Sequence, residues 1–174
     1  VRASNNDLGF KDVGNQYNDL ISGWVAYWNY ALKPKNPLHP NDLKALIASE
    51  SGFKINAQNP NKTKKVGFAR GLVQLTEQTY RILQNEKGEL KDHLVILDKE
   101  EIWEPNKNIC AAVRWLYRKY QTAQNKLKRN PTWEETFWEY KGILKQNNKD
   151  ALTLKKRLKK FLEMISEGQN LIQK

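Results

Sequence analysis

One glutamate, Glu50, has both the residue type and the setting for acid–base chemistry. It follows the run Leu43–Ser49, whose apolar residues are typical of a helix with a buried face. A carboxylate at the end of an apolar face loses part of its hydration, and desolvation favours the protonated form that a general acid needs near neutral pH. Most glutamates at helix ends are instead solvated or ion-paired, so this assignment depends on the residues around it.

Other reactive groups in the chain do not form recognisable sites. Cys110 is the only cysteine, so it cannot form an intramolecular disulfide, and its apolar neighbours predict a core residue rather than a nucleophile. His39 and His93 lack the spacing of metal ligands, and the sequence contains no phosphate-binding loop or dinucleotide fingerprint. We therefore expect neither a metal ion nor another cofactor.

The composition favours negatively charged partners. Lys and Arg number 30 against 19 Asp and Glu, which gives a formal net charge of +11. Nucleic acid, anionic lipid and the bacterial cell wall would all be attracted to such a surface, although the charge could serve solubility alone. No apolar run approaches the roughly 20 residues that span a membrane, and no signal peptide is recognisable. The sequence does not begin with Met, as expected of a mature protein or an excised domain.

The elements that must position Glu50 are predicted to be helices of one domain spanning residues 1–174. A chain of 174 residues with 39% hydrophobic residues, six Trp and seven Tyr can bury a substantial core. An apolar stripe predicts a helix from Asp12 to Leu32, and three prolines then interrupt it. Asn41 or Asp42 is placed to cap the helix that leads to Glu50.

Further helices are predicted towards the C-terminus. One runs from about Gly71 to Asn85, one starts near Pro105, and one begins at a capping box at Thr132 and ends near Gly142. The last helix starts near Lys149 and has a basic face, which is either solvated or a docking surface. Its predicted buried residues are Leu154, Leu158, Phe161, Leu162 and Ile165.

A long polar segment separates Glu50 from the helix predicted after Gly71. Residues 53–70 include the basic run Lys62–Lys65 and predict a loop that could carry a short β-hairpin. Loops longer than roughly 12–15 residues are often functional. The sequence therefore predicts a mainly α-helical fold with a loop of functional interest next to Glu50.

Four short motifs follow one another between residues 50 and 142. The first motif, at residues 50–57, is Glu-Ser-Gly-Phe-Lys-Ile-Asn-Ala, and the second, at residues 71–74, is Gly-Leu-Val-Gln. The third, at residues 104–109, is Glu-Pro-Asn-Lys-Asn-Ile, and the fourth, at residues 139–142, is Glu-Tyr-Lys-Gly. In this order and at these distances, they resemble the motifs of the soluble lytic transglycosylase and goose-type lysozyme superfamily, glycoside hydrolase family 23. The resemblance implies a lysozyme-like helical domain.

The resemblance also implies an activity. Its members cleave the β-1,4 bond between N-acetylmuramic acid and N-acetylglucosamine in peptidoglycan, and Glu50 corresponds to their catalytic acid. In a lytic transglycosylase the resulting carboxylate deprotonates the muramyl C6 hydroxyl and gives a 1,6-anhydro end, whereas in a lysozyme it activates water. Neither reaction needs a cofactor. The implied partner is the peptidoglycan glycan strand, reached in the periplasm or at the cell wall, and nucleic acid is not expected.

Five more residues are assigned to substrate binding through the same resemblance: Ser51, Phe68, Gln74, Thr76 and Tyr140. Ser51 either orients Glu50 or caps a turn. Gln74 can hydrogen-bond acetamido groups. Tyr140 is either a hydrogen-bonding group in the cleft or a core residue, and Phe68 either stacks on a sugar or packs in the core.

The motifs depart from the family pattern at informative positions. Val73 replaces a Met and Lys141 replaces an Asn, while one additional residue before Gly71 can redirect Phe68. Thr76 stands where goose-type enzymes have an Asp, so no second carboxylate is carried over.

Three other glutamates could take the place of that missing carboxylate, namely Glu77, Glu104 and Glu139. If one of them did, the protein would be a hydrolytic lysozyme instead of a lytic transglycosylase. The other alternative is a non-catalytic module that binds cell wall or nucleic acid. A phage enzyme, a secretion-system enzyme and a toxic effector, with or without an immunity partner, would look alike in sequence.

Overall fold

The computed structural model describes residues 1–60 and 66–172, so the basic run Lys62–Lys65 lies outside the described residues. Within them the chain forms α-helices and one small antiparallel sheet, which confirms the mainly α-helical prediction. None of the described helices combines the length and the apolar character needed to cross a membrane. The elements in chain order are α1 Asn18–Leu32, α2 Pro40–Ser51, β1 Gln58–Asn59, β2 Ala69–Arg70, β3 Leu75–Thr76, α3 Glu77–Leu83, α4 Pro105–Leu127, α5 Trp133–Tyr140 and α6 Lys149–Ile172.

Helix α4 provides the central support of the fold. Its residues 108–117 are all buried, and it packs against α1 and α5, while α2 packs chiefly against α6. Cys110 belongs to this buried stretch, and desolvation raises the pKa of its thiol to about 11. A thiol with so high a pKa is a poor nucleophile, which agrees with the predicted core position.

Helix α2 carries Glu50 in its last turn. The N-cap prediction of Asn41 or Asp42 is wrong, because Pro40 occupies the first helical position and the Nδ1 atom of His39 accepts the Asn41 N–H at 3.1 Å. The helix ends at Ser51 and is capped by Gly52, whose φ of 58° favours glycine and whose Cβ, if present, would lie 2.8 Å from the Phe10 ring.

The sheet joins the loop after Glu50 to the segment before α3. Gln58 pairs with Arg70 and Asn59 with Ala69, which confirms the hairpin predicted within residues 53–70, and β3 pairs with β2 on its other side. The helix predicted from Gly71 begins only at Glu77. Gly71 and Gln74 have φ values of 79° and 56°, so residues 71–74 form a turn that cannot be helical.

Other sequence predictions differ at the ends and faces of helices. Helix α1 begins at Asn18 rather than Asp12, because a 3-10 turn over Asn15–Tyr17 precedes it. Leu154 was expected in the core but is 42% exposed, whereas Leu158, Phe161 and Ile165 of the same helix are buried. The capping box at Thr132 is confirmed, and Gly142, with a φ of 75°, follows the end of α5.

Lys44 is a cation within the core, with no exposed surface. Its Nζ atom donates hydrogen bonds to the Ser4 carbonyl oxygen and to Asn15 Oδ1, both at 2.6 Å. These bonds hold the N-terminal segment against α2. Burial lowers the pKa of Lys44 from 10.5 to about 8, although the charge of Asp7 opposes the shift.

Lys44 is expected to make the free energy of unfolding rise with pH above about pH 8. Between the folded and unfolded pKa values of Lys44, about 8 and 10.5, the unfolded chain binds a proton that the folded protein has released. The gain is of the order of 1–3 kcal/mol. Urea denaturation at pH 7.5 and pH 10 measures it, with Lys44→Met as the matched variant. Equal pH dependence of the two proteins would contradict the prediction.

Candidate active site

Glu50 forms a buried ion pair with Lys141. The Nζ atom of Lys141, directly after α5, lies 2.8 Å from Glu50 Oε1, and the two side chains are 7% and 14% exposed respectively. The expected desolvation of the carboxyl is therefore present. Removing one partner would leave the other as an uncompensated buried charge.

Tyr140 connects α5 to the turn at residues 71–74. Its hydroxyl donates a hydrogen bond to the Val73 carbonyl oxygen at 2.6 Å, and its ring packs against the core. Burial, and then the negative charge of Glu50, raises the pKa of Tyr140 well above its ordinary value. Tyr140 is therefore a neutral hydrogen-bond donor that lies close enough to Glu50 to sense its charge.

Gln74 directs its side-chain amide into the protein. The Nε2 atom donates to the carbonyl oxygens of Ala57 and Gly71 at 3.0 and 2.9 Å, and Oε1 accepts from Asn59 Nδ2 at 2.8 Å. These bonds tie the turn at residues 71–74 to the loop that follows Glu50. An acetamido group of a ligand would have to displace one of them to reach this amide.

Asn108 is a supporting residue that sequence reasoning did not single out. Its Nδ2 atom donates to the carbonyl oxygens of Ile102 and Arg70 at 2.7 and 3.1 Å, and its Oδ1 atom accepts the Val73 N–H at 2.9 Å. A Cβ on Gly71 would lie 2.5 Å from the same Nδ2 atom. The asparagine within the motif at residues 104–109 was the available signal.

Replacing Asn108 with alanine is expected to lower the free energy of unfolding by about 2–4 kcal/mol, because buried backbone groups lose their partners and a cavity forms. Thermal denaturation measures the effect. Asn125→Ala is the matched control, since it makes the same change at an exposed position of the same helix. Equal melting temperatures for the two variants would refute the role assigned to Asn108.

The hydroxyls of Ser51 and Thr76 form hydrogen bonds at helix ends. Ser51 Oγ donates to the Ile47 carbonyl oxygen at 3.3 Å and accepts the Phe53 N–H at 3.2 Å, which corresponds to the turn-capping alternative. Thr76 is the N-cap of α3, and its Oγ1 atom accepts the Thr79 N–H at 3.2 Å. Both hydroxyls therefore have local structural roles.

Phe68 lies just before β2, and 45% of its surface is exposed. The core-packing alternative for this residue is therefore wrong. An exposed aromatic ring in the loop between Glu50 and the turn at residues 71–74 is available for stacking. The stacking of Phe68 on a sugar stays a prediction.

The other candidate carboxylates, Glu77, Glu104 and Glu139, are either ion-paired or exposed. Glu77 lies 3.7–3.9 Å from the side-chain nitrogens of Arg70, Arg81 and Lys99. Glu139 pairs with Lys126 of α4 at 2.8 Å, and Glu104 is exposed at the start of α4. Among the described residues, no group of three or more His, Cys, Asp or Glu side chains could hold a metal ion.

Comparison with known proteins identifies the family. The model of the transglycosylase SLT domain matches residues 26–161, a range that includes all six candidate site residues. Searches of curated proteins and of solved structures found no significant match. The domain match implies lytic transglycosylase-type cleavage of peptidoglycan, which takes place at the cell wall or in the periplasm. The chain belongs to the transglycosylase SLT domain family.

Proposed function

We propose that this protein cleaves the β-1,4 bond between N-acetylmuramic acid and N-acetylglucosamine, with Glu50 as its single catalytic carboxyl and a 1,6-anhydro end as product. The observation that carries the proposal is the largely buried position of Glu50, at the end of an apolar helix and beside Tyr140 and Lys141 at the end of α5. These residues come from two of the motifs that resemble the family.

In the first step, protonated Glu50 donates its proton to the glycosidic oxygen, and the bond from that oxygen to muramyl C1 breaks. An oxocarbenium-like centre develops at C1, and the neighbouring acetamido group can stabilise it in a substrate-assisted manner. The Glu50 carboxylate then takes the proton of the C6 hydroxyl as O6 bonds to C1. Glu50 ends as it began, and neither water nor a cofactor is consumed.

Lys141 stands where the family pattern has an Asn, and its ammonium donates to Glu50 Oε1 at 2.8 Å. This contact holds the Glu50 side chain in one position. When Glu50 gives up its proton, the ammonium is in place to pair with the carboxylate that forms.

Mass spectrometry of the released muropeptides tests the reaction. We expect mainly anhydro products, about 18 Da lighter than hydrolytic ones because no water is added. Support comes from Thr76, which stands where goose-type lysozymes have an Asp and whose hydroxyl caps α3. Tethering gives the C6 hydroxyl an advantage over a free water molecule. A digest dominated by reducing ends would instead establish a hydrolytic lysozyme that retains Glu50 as acid.

A further inference from the structure

A cavity of about 470 Å³ lies between the end of α1, residues 89–93 and α4. Its lining does not include Glu50, the turn at residues 71–74 or Lys141. The residues that matter for its chemistry are Lys35, Asp92, Arg114, Tyr120 and Gln121. The cavity is therefore separate from the candidate active site.

Arg114 is the most unusual group in this lining. It is only 8% exposed, its Nε atom donates to the His93 carbonyl oxygen at 2.9 Å, and its guanidinium lies 5.9 Å from the centroid of the Trp28 ring. Its two terminal nitrogens have no hydrogen-bond or ion-pair partner among the residues that the structure describes. A buried guanidinium with unused donors is suited to a planar, bidentate anion.

The carboxylates near Arg114 leave its charge only partly compensated. Glu89 already accepts from Arg118 at 2.5 and 2.7 Å, and Asp92 is exposed. Burial and the neighbouring Arg118 lower the pKa of Arg114, while Asp92 opposes them. A ligand carboxylate would therefore meet a cation whose charge is incompletely balanced.

Neutral polar groups complete the lining. Gln121 Oε1 accepts from Arg118, which leaves the Gln121 Nε2 donors for a ligand, and Gln124 uses its Nε2 atom on Asn130, which leaves its carbonyl oxygen. These amides can pair with the N–H and C=O groups of a peptide. The lining thus combines two cations that can bind an anion, Arg114 and Lys35, with donors and acceptors for a peptide backbone.

We propose that this cavity binds a short peptide through a free carboxylate held by Arg114. Stem peptides of peptidoglycan have this chemistry, so their identification as the natural ligand rests on the proposed function. A stem peptide bound in this cavity would hold the peptidoglycan at a point separate from the glycan strand at Glu50. The binding of a carboxylate-bearing peptide can be tested independently of cleavage.

The probe is N-acetyl-L-alanyl-D-glutamate, and its uncharged diamide is the control. Each is titrated into the whole chain, and binding is followed by NMR through the Arg114 Nε–H and Trp28 Nε1–H signals. We expect saturable shifts with the acid and at least tenfold weaker binding of the diamide. Gln121→Trp should weaken binding of the acid tenfold by filling the cavity, as should Arg114→Gln. Because Gln121 is exposed, its variant retains the supporting bonds of Arg114 even if Arg114→Gln does not fold.

Failure of this inference is distinguishable from failure of the proposed function. Equal binding of the acid and the diamide, no saturable shift, or undiminished binding by Gln121→Trp would each overturn the peptide site. Glu50→Gln should bind the probe as the wild-type protein does. If the site serves the wall, Gln121→Trp should raise KM for peptide-bearing peptidoglycan and leave KM for peptide-free glycan unchanged. The same KM change on both substrates would overturn stem peptides as the natural ligand.

Discussion

Replacing Glu50 with glutamine is expected to reduce cleavage of purified peptidoglycan by about 10²–10⁴-fold, the usual contribution of a general acid. Glutamine keeps the shape of the side chain but cannot deliver a proton. The loss of turbidity of a cell-wall suspension, together with zymography, measures the effect. Turbidity loss near the wild-type rate would remove Glu50 from its proposed role.

The ion pair complicates this variant, and the structure suggests a matched control. Glu50→Gln leaves the buried ammonium of Lys141 unpaired, which can cost about 3–5 kcal/mol of stability. The double variant Glu50→Gln, Lys141→Asn removes that charge and places two amides opposite each other. We expect it to recover most of the lost thermal stability but none of the activity. Recovery of both would show that Glu50→Gln was inactive only because it was unstable.

Replacing Lys141 with asparagine is expected to lower the free energy of unfolding by about 3–5 kcal/mol, because it leaves the largely buried Glu50 carboxylate without its partner. Urea denaturation at neutral pH measures this loss. The cleavage rate per folded molecule should also fall, because the ammonium no longer holds the Glu50 side chain in position.

Lys141→Arg is the conservative control for this experiment. It keeps a cation beside Glu50, so it should retain most of the stability that Lys141→Asn loses. Equal free energies of unfolding for the wild type and Lys141→Asn would contradict the role given to the ion pair.

The sequence predicted the parts of the site that depend on local pattern. Apolar periodicity placed Glu50 at the end of a helix, and the capping box located the start of α5, because both signals act within a few residues. The pairing of Glu50 with Lys141 could not be predicted in this way. It joins positions 91 residues apart and depends on how the end of α5 approaches α2.

The errors have a similar cause. The helix expected from Gly71 fails because Gln74 adopts a left-handed conformation that three side-chain hydrogen bonds support, two of them to the loop at residues 57–59. The cap of α2 was expected at Asn41 or Asp42, which are common N-cap residue types, whereas the structure uses His39, an uncommon one. In the first case tertiary contacts overrode the helical preference, and in the second an uncommon residue type took the N-cap position.

The long separation between the two members of the ion pair also affects the newly made chain. At a synthesis rate of about 5–20 residues per second, the 91 residues between Glu50 and Lys141 correspond to roughly 5–20 seconds. During this time the carboxylate of Glu50 has no ammonium partner and is stable only in contact with water. The end of α2 should therefore stay hydrated on the nascent chain, and α5 should complete the site as one of the last steps of folding.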